Sequence, residues 1–136
     1  MRQKCRGDGA EDASKWRAIA STCLDKLKKW YDFGNEVGST WNVSHKYDLL
    51  RAELAVVDGN TEEAMSAYAS AIQKAKEHYY VNEEALARER SGIFHWKIRG
   101  DAQKGKEDLA NAAELYRKWG ADRKAADISQ LINQLE

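Results

Sequence analysis

The stretch "GNTEEAMSAYASAIQKA", residues 59–75, sets a small, a large and a small side chain at fixed distances after a glycine. Ala64, Tyr68 and Ala71 follow Gly59 by five, nine and twelve residues, and these steps share one face of an α-helix. Small side chains let two helix backbones approach closely, and a large ring fills the space that remains. A glycine before such a stripe ends the preceding helix because it adopts the left-handed backbone conformation without strain.

The same pattern occurs forty-one residues later in "GDAQKGKEDLANAAELY", residues 100–116. Gly100 is followed at the same three offsets by Gly105, Leu109 and Ala112. Two copies of a helix-turn-helix unit at a fixed spacing are typical of a solenoid, in which each hairpin packs against the next.

Composition and periodicity extend this prediction to the whole chain. The 136 residues include no proline and only nine glycines, and good helix formers predominate. Periodic apolar stripes indicate six helices, mostly of 13 to 19 residues, joined by turns short enough to make neighbouring helices antiparallel. We therefore predict an all-α protein, an α-solenoid of antiparallel helical hairpins in one domain over residues 13–136, preceded by a disordered polar tail, residues 1–12.

Local signals place several helix ends. Ser44, Asn60 and Asn82 are predicted N-caps, and Glu63 completes a capping box with Asn60. A loop with two glycines is predicted over residues 32–40.

The apolar stripes also divide the aromatic residues into two groups. Residues that fall on a stripe are assigned to the core: Trp16, Trp30, Tyr68, Tyr116 and Trp119. Residues that fit the stripes less well are expected to be partly exposed: Trp41, Tyr80 and Trp96.

Charge and hydropathy narrow the choice of partner and location. Lys plus Arg and Asp plus Glu number 22 each, so no electrostatic feature favours nucleic acid or an anionic membrane. No apolar run approaches the roughly 20 residues that span a bilayer, and the first residues lack the apolar core of a signal peptide. We expect a cytoplasmic protein with two free thiols: Cys5 in the tail, and Cys23 packed as a small apolar group.

The residue types needed for chemistry do not cluster. His45, His78 and His95 are scattered and lack the spacing of metal ligands, and no glycine-rich loop has the order of a nucleotide-binding loop. The adjacent Glu83 and Glu84 point about 100° apart on a helix and are better explained by the helix dipole than by acid–base catalysis. We predict no catalytic residue, no cofactor and no metal.

The repeated offsets resemble those of the tetratricopeptide repeat family. Gly59, Ala64, Tyr68 and Ala71 match its glycine, small, large and small positions, and Ala52 matches the small position of the preceding helix. The spacing of forty-one exceeds the family's usual value of about 34, and the closing proline is missing from both units. The resemblance implies stacked helical hairpins with helices longer than usual.

Three further stretches resemble one group of proteins: "NVSHKYDLLRAELAVVDGN", "NEEALARERSGIF" and "ELYRKWGADRKAADI". They are similar to the helical repeat segment of large signalling proteins in which an AAA-type ATPase module precedes the repeats. In many of these proteins GAF domains and a histidine kinase follow, and some also have a serine/threonine kinase-like domain. The similarity covers roughly residues 41–126 and, less closely, residues 14–33. Its main matching positions are Asn42, His45, Lys46, Glu83 to Ala87, Tyr116, Trp119, Gly120 and Ala121.

This second resemblance implies a helical interaction segment, since the chain carries no ATPase, GAF or kinase motif. We expect a non-catalytic scaffold that binds a protein, a peptide or the neighbouring domains of a larger signalling protein. Solenoids bind along the concave surface made by the first helix of each hairpin. The candidate contact residues there are Lys46, Arg51, Arg88, Phe94 and His95.

Three other interpretations stay open. The chain can be a structural spacer or a self-associating helical segment with no peptide ligand, which light scattering at several concentrations would test. It can be a small enzyme or nucleotide-binding domain, which a calorimetric titration with nucleotide would test. It can also be a fragment or a remnant of a longer signalling protein, which the full transcript would reveal.

Overall fold

The computed structural model describes the backbone of residues 2–37 and 43–135 and the side chains of residues 13–34 and 43–135. Within these ranges the chain forms six α-helices and no β-strand, as the all-α prediction requires. The helices are α1 (Arg2–Val37), α2 (Ser44–Val57), α3 (Thr61–Glu77), α4 (Val81–Lys97), α5 (Ala102–Trp119) and α6 (Asp122–Gln134). Among the described residues, no helix has the length and apolar character needed to cross a membrane.

Four helices are followed, one to three residues after their last residue, by a residue with a left-handed backbone conformation. Three of these residues are glycines, Gly59, Gly100 and Gly120, as the sequence predicts. The fourth is Tyr79, whose φ of 62° places a non-glycine residue in the same conformation at the end of α3. At that position a side chain crowds the backbone, so Tyr79 adopts a strained form of the turn that glycine makes elsewhere.

Helix starts confirm one predicted cap and correct two others. The Asn60 side chain accepts a hydrogen bond from the Glu63 backbone N–H, so this N-cap is confirmed. The capping box is not complete, because the Glu63 carboxylate accepts from the Asn60 side-chain amide while the Asn60 backbone N–H donates to Ala55. Ser44 is instead the first residue of α2, and it is buried. Asn82 is the second residue of α4, because the left-handed turn at Tyr79 lets the helix begin earlier, at Val81.

Helices α2 and α3 form an antiparallel hairpin. The Ser70 hydroxyl donates a 2.6 Å hydrogen bond to the Asp48 carboxylate. Further along α2, Arg51 lies 3.8 Å from Glu63, which comes earlier in α3. Later residues of α2 therefore lie beside earlier residues of α3, so the two helices are antiparallel, as the short turn at Gly59 requires.

Helices α4 and α5 form a second antiparallel hairpin. The Tyr116 hydroxyl donates to Glu89 at 2.9 Å, and the Ser91 hydroxyl donates to Asp108 at 2.8 Å. Helix α6 then packs against α5, α3 packs against α4, and α1 packs against α2. This order of contacts is compatible with a solenoid.

The repeated small and large positions lie in the interior. Ala64, Tyr68 and Ala71 are at most 1% exposed, and Leu109 and Ala112 are fully buried. One buried cluster lies mainly between α2 and α3 and consists of Ala52, Ala55, Ala64, Ala67, Tyr68 and Phe94. The other lies around α5 and consists of Ala85, Leu109, Ala112, Ala113, Tyr116, Ala125 and Ile128.

The backbones of α4 and α5 approach each other closely at two glycines. A Cβ atom added to Gly105 would lie 2.8 Å from the Gly92 carbonyl oxygen and 3.0 Å from the Trp96 Cβ. A Cβ atom added to Gly92 would lie 2.8 Å from the Leu109 side chain. Both glycines are therefore needed for the spacing of this hairpin.

Helix α1 is longer than the sequence predicts. Its backbone is helical from Arg2, so residues 2–12, the predicted disordered tail, continue the helix. It also runs through most of the predicted loop, to Val37. Its glycines, Gly7 and Gly9 among them, each lower helix propensity by only about 1 kcal/mol, which good helix formers on both sides offset. Residues 38–42, which complete the predicted loop, lie outside the described residues.

Assignment of aromatic residues to the core is partly wrong. Tyr68 and Tyr116 are buried as predicted, but Trp16, Trp30 and Trp119 are 67%, 66% and 58% exposed. The first two lie on α1, which packs against α2 through a neighbouring stripe, and Trp119 is the last residue of α5. Cys23, also on α1, is a free thiol as predicted but is exposed instead of packed. Of the residues predicted to be partly exposed, Tyr80 and Trp96 are half-buried and Trp41 lies outside the described residues.

Candidate partner-binding groove

A groove of about 450 Å³ separates the first helices of the two hairpins, α2 and α4. Its base includes Ala71 of α3. Its walls are His45, Lys46, Leu49, Leu50 and Glu53 from α2, and Glu83, Leu86, Ala87 and Arg90 from α4. Most of the exposed lining is apolar, as in sites that bind small ligands or peptide side chains.

Each wall is one helical face with polar ends and an apolar middle. On α2, Lys46 and Glu53 lie seven residues apart and flank Leu49 and Leu50. The intervals of three, four and seven residues bring these side chains to the same side of the helix.

The wall from α4 has the same spacing but the opposite order of charge. Glu83 and Arg90 flank Leu86 and Ala87 at the same intervals. An acidic residue on α4 therefore lies beside the basic end of the α2 wall, and a basic residue lies beside its acidic end.

Ion pairs join the walls at both ends. Lys46 Nζ lies 3.4 Å from Glu83 Oε1, and Arg90 binds Glu53 through two hydrogen bonds of 2.7 and 3.1 Å. Because earlier residues of α2 pair with earlier residues of α4, the two helices run in the same direction. The paired charges leave Leu86, which is 42% exposed, at the surface between them.

His45 strengthens the Lys46 end of the groove. Its Nε2 atom bonds to the Glu83 carboxylate, and its ring stacks on Tyr80 with centroids 4.7 Å apart. The ring is almost fully buried, and its Nδ1 atom has no hydrogen-bond partner. The contacts of His45 hold Glu83 in place between the two helices.

At the opposite end of the groove, the Tyr68 hydroxyl bonds to the Glu53 carboxylate. Burial raises the pKa of its hydroxyl, and the negative charge of Glu53 and a hydrogen bond to that carboxylate raise it further. The hydrogen bond to Glu53 in turn raises the pKa of Arg90 above its ordinary value. Tyr68 is therefore a neutral hydrogen-bond donor and Arg90 is a cation at physiological pH.

Lys46 is the one residue of the predicted contact set that lines this groove, with a side chain 53% exposed. Arg51 faces the other way, toward α3, and pairs with Asp48 at 3.3 Å and Glu63 at 3.8 Å. The structure therefore separates two residues that lie only five positions apart on α2.

The other three predicted contact residues lie elsewhere. Arg88 pairs with Glu84 at 2.8 Å and lines a different surface groove, between α3, α4 and α5. Phe94 packs against Tyr68 in the core, and His95 is only 5% exposed. These last two side chains lie inside the protein and not on the concave surface that the prediction assumes.

The sequence prediction missed most of the groove, although the signal is present. Leu49 and Glu53 follow Lys46, and Leu86 and Arg90 follow Glu83, at the same steps of three and seven residues. The predicted stripes follow the faces that pack in the core, whereas a second face of each first helix lines the groove. Which two such faces meet depends on the packing of α2 beside α4.

The titratable residues of the described region do not assemble a metal site. No group of three or more histidine, cysteine, aspartate or glutamate side chains within it has the geometry to hold a metal ion. The groove itself presents apolar area bounded by fixed charges, an arrangement suited to recognition of a side chain or a short segment. Comparison of the chain with protein-family models, curated proteins and solved structures finds no match.

Proposed function

We propose that this chain is a non-catalytic protein–protein interaction module of the tetratricopeptide-repeat type that acts in the cytoplasm. We further propose that it is part of, or derived from, a multi-domain signalling ATPase or kinase, on the basis of the sequence resemblance. Its ligand is a segment of a partner protein or of a neighbouring domain, and its binding site is the groove between α2 and α4.

The observation that carries this proposal is the apolar area held open between two ion pairs. The Lys46–Glu83 and Glu53–Arg90 pairs fix the separation of the walls, so little ordering is required when a ligand enters. A rigid apolar pocket with a polar rim is the usual form of a binding site for an anchoring side chain.

The dimensions indicate a short ligand. Seven residues of α-helix separate Lys46 from Glu53, which is about 10 Å along the axis. An extended peptide covers that distance in about three residues. We expect the groove to hold one or two apolar side chains, with polar residues of the ligand near the charged ends.

A phage-displayed library of random peptides tests the proposal. We expect enriched peptides to share an apolar anchor, and a synthetic version to bind the chain in a fluorescence anisotropy titration. Leu86→Glu should weaken binding at least about tenfold, because one buried leucine contact contributes about 1.5–3 kcal/mol. Met65→Glu is the matched control, since Met65 is 37% exposed on α3 and lies outside the groove.

Two results would contradict the groove as the binding site. One is a library that enriches no peptide over a surface without protein. The other is a peptide whose affinity is reduced equally by Leu86→Glu and Met65→Glu. Circular dichroism of both variants should match the unmodified chain, because both side chains are substantially exposed.

A second candidate function is a self-associating helical segment. It is favoured by a specific observation outside the groove, the exposed apolar face of α1. This face contains Trp16, Ile19, Trp30 and Phe33, all between 43% and 67% exposed.

A further inference from the structure

Helix α1 carries two parallel apolar stripes, of which one packs against the rest of the protein. Arg17 on this inner stripe donates to Asp58 at 2.8 and 2.9 Å, and the Tyr31 ring stacks on Tyr47 at 5.6 Å. Between these contacts lie the half-buried side chains of Ala20, Leu24 and Leu27.

The other stripe consists of the residues just before those of the inner one, and we call it the outer stripe. Its members are Trp16, Ile19, Cys23, Lys26, Trp30 and Phe33, and every one of them is exposed. Successive members are three, four, three, four and three residues apart, which is the spacing of the a and d positions in a coiled coil.

Exposure of this size is unusual for a chain that acts alone. Three aromatic side chains on the outer stripe are 63% to 67% exposed, and Ile19 is 43% exposed. Monomeric proteins rarely expose contiguous apolar patches larger than a few hundred Å². The coiled-coil spacing indicates that a helix of matching periodicity covers the stripe.

The order of residues along the outer stripe is self-complementary when two copies run in opposite directions. If Trp16 lies opposite Phe33 of a second copy, then Ile19 lies opposite Trp30 and Cys23 lies opposite Lys26. A two-fold axis relates the two halves of this arrangement, so the same contacts occur twice. Each layer then combines a large ring with another apolar side chain, or a lysine with a small thiol.

A parallel pairing in register is less favourable. It would place Lys26 against Lys26 of the other copy in the middle of an apolar seam, where like charges repel and neither is compensated. It would also stack Trp30 on Trp30, so the two bulkiest side chains would occupy one layer. Antiparallel pairing moves the two lysines into adjacent layers, each opposite a small thiol, and places each Trp30 ring opposite Ile19 instead of the other ring.

The surface of the outer stripe fits the antiparallel arrangement. A shallow depression of about 320 Å³ is lined by Ala18, Ile19, Thr22, Cys23 and Lys26. The position opposite Ile19 in the antiparallel register is that of Trp30. The depression therefore lies where the indole ring of the second copy would enter.

The area available is sufficient for a modest dimer. Large aromatic side chains present about 150–250 Å² each, so three that are two-thirds exposed contribute roughly 400 Å² per copy. With Ile19, pairing would bury about 1,000 Å² in total, which is near the lower limit for a specific interface.

We propose that the outer stripe of α1 binds the outer stripe of a second copy in an antiparallel pair. This dimer is independent of the groove, because the groove is lined by residues of α2, α3 and α4 and by none of α1.

Sedimentation velocity tests the pairing over concentrations of about 1 to 300 μM, which bracket a micromolar dissociation constant. We expect the chain to convert from monomer to dimer within this range. Trp30→Glu should weaken dimerisation at least about tenfold, because a charge would replace a buried ring. Trp119→Glu is the matched control and should dimerise normally, since Trp119 is 58% exposed on α5, away from α1.

Orientation is tested by a spin label at Lys15→Cys in a chain with Cys5→Ser and Cys23→Ala. In the antiparallel register residue 15 lies nineteen residues from its counterpart, so the two labels should be about 30 Å apart. A parallel pair would bring them to about 10–15 Å, close to the distance between packed helices.

Any of four outcomes would overturn the proposal. They are a chain that is monomeric at every concentration, an equal loss of dimer in Trp30→Glu and Trp119→Glu, a loss in Trp119→Glu alone, and labels at the short distance.

A chain that sediments as a monomer but floats with neutral phospholipid vesicles would show that lipid covers the stripe instead. Circular dichroism shows whether a variant has lost helix. If Trp30→Glu has, then Trp16→Glu takes its place in the sedimentation measurement.

Discussion

The two hairpins, α2–α3 and α4–α5, share one spacing of small and large side chains but fill their interfaces differently. In α2–α3 the small positions are alanines, such as Ala64, packed around the ring of Tyr68. In α4–α5 a Cβ atom added to either Gly92 or Gly105 would lie only 2.8 to 2.9 Å from the carbonyl oxygen of the other. What the two copies have in common is therefore the alternation of volume along the helix. A smaller ring-free side chain, Leu109, goes with a closer approach of the backbones.

The hairpins also place a buried carboxylate on opposite helices. In the first hairpin Asp48 of α2 accepts a 2.6 Å hydrogen bond from Ser70 and pairs with Lys74 at 2.7 Å. In the second, Asp108 of α5 accepts a 2.8 Å hydrogen bond from Ser91 of α4. Each carboxylate accepts a hydrogen bond from a serine of the facing helix and pairs with a lysine, which offsets part of the cost of burying it and favours one register of the hairpin.

Truncation of the large residue in the second hairpin should have the largest effect. Leu109 is fully buried against Gly92, so Leu109→Ala would leave a cavity between two helices. We expect a loss of about 3–5 kcal/mol in the free energy of unfolding, measured by urea denaturation. Leu86→Ala, at a position 42% exposed, should cost less than about 1 kcal/mol. Equal losses would contradict the assignment of Leu109 to the core of this hairpin.

A methyl group at the close approach of α4 and α5 should be the next most damaging change. Gly105→Ala would place a Cβ atom 2.8 Å from the Gly92 carbonyl oxygen, and a backbone atom cannot move aside as a side chain can. We expect a net loss of about 1–3 kcal/mol, even though alanine favours helix by about 1 kcal/mol. The reverse change at the equivalent position of the first hairpin, Ala64→Gly, should cost about 1 kcal/mol through helix propensity. A thermal melt in which Gly105→Ala is more stable than the unmodified chain would refute the close approach.

The turn between the hairpins should respond in the opposite direction. Tyr79 has a left-handed backbone conformation and is 88% exposed, so its ring contributes little packing to offset the strain. Tyr79→Gly should raise the free energy of unfolding by about 0.5–1 kcal/mol. Glycine relieves the backbone strain, and this gain is partly offset because glycine has a greater conformational entropy in the unfolded chain. Tyr79→Ala separates the two contributions, because it removes the ring but keeps the strain. A gain in stability for Tyr79→Ala as large as that for Tyr79→Gly would assign the effect to the ring instead.

Sequence patterns were sufficient where the determinants are local. The turn at Gly59, the cap at Asn60 and the buried stripe from Ala64 to Ala71 each depend on residues within one helix turn or one hairpin, and each is confirmed. The early start of α4 was missed because Tyr79, which is not a glycine, gives no signal of a left-handed conformation.

Patterns were insufficient where two faces of one helix compete. Helix α1 has two apolar stripes with the same spacing, and periodicity alone does not say which one packs against α2. Trp16 and Trp30 were therefore assigned to the core although they are exposed. The groove was missed for a related reason, since Leu50 and Leu86 lie 36 positions apart and meet only through packing of α2 beside α4.

A histidine, His95, lies beside the buried carboxylate of the second hairpin and should make the stability of that hairpin depend on pH. Both carboxylates pair with a lysine, Asp48 with Lys74 at 2.7 Å and Asp108 with Lys104 at 3.6 Å. Asp108 in addition lies 3.9 Å from the His95 imidazole. Arg99 donates to His95 Nδ1 at 2.9 Å, so this nitrogen is an acceptor and the ring is neutral. Burial is the main cause that lowers the pKa of His95, and Arg99 and Lys104 lower it too, while Asp108 and, less strongly, Asp101 act in the opposite direction.

Because the pKa of His95 is below its ordinary value of 6.5 in the folded chain, the unfolded chain binds a proton first as the pH falls. The stability associated with the neutral ring is fully present above about pH 6.5 and decreases as the pH falls toward the lower folded pKa. Urea denaturation at about pH 7.5 and about pH 5.5 should show a smaller loss of stability in His95→Gln than in the unmodified chain. If His95→Gln loses as much stability on acidification as the unmodified chain, the acid sensitivity does not arise at His95.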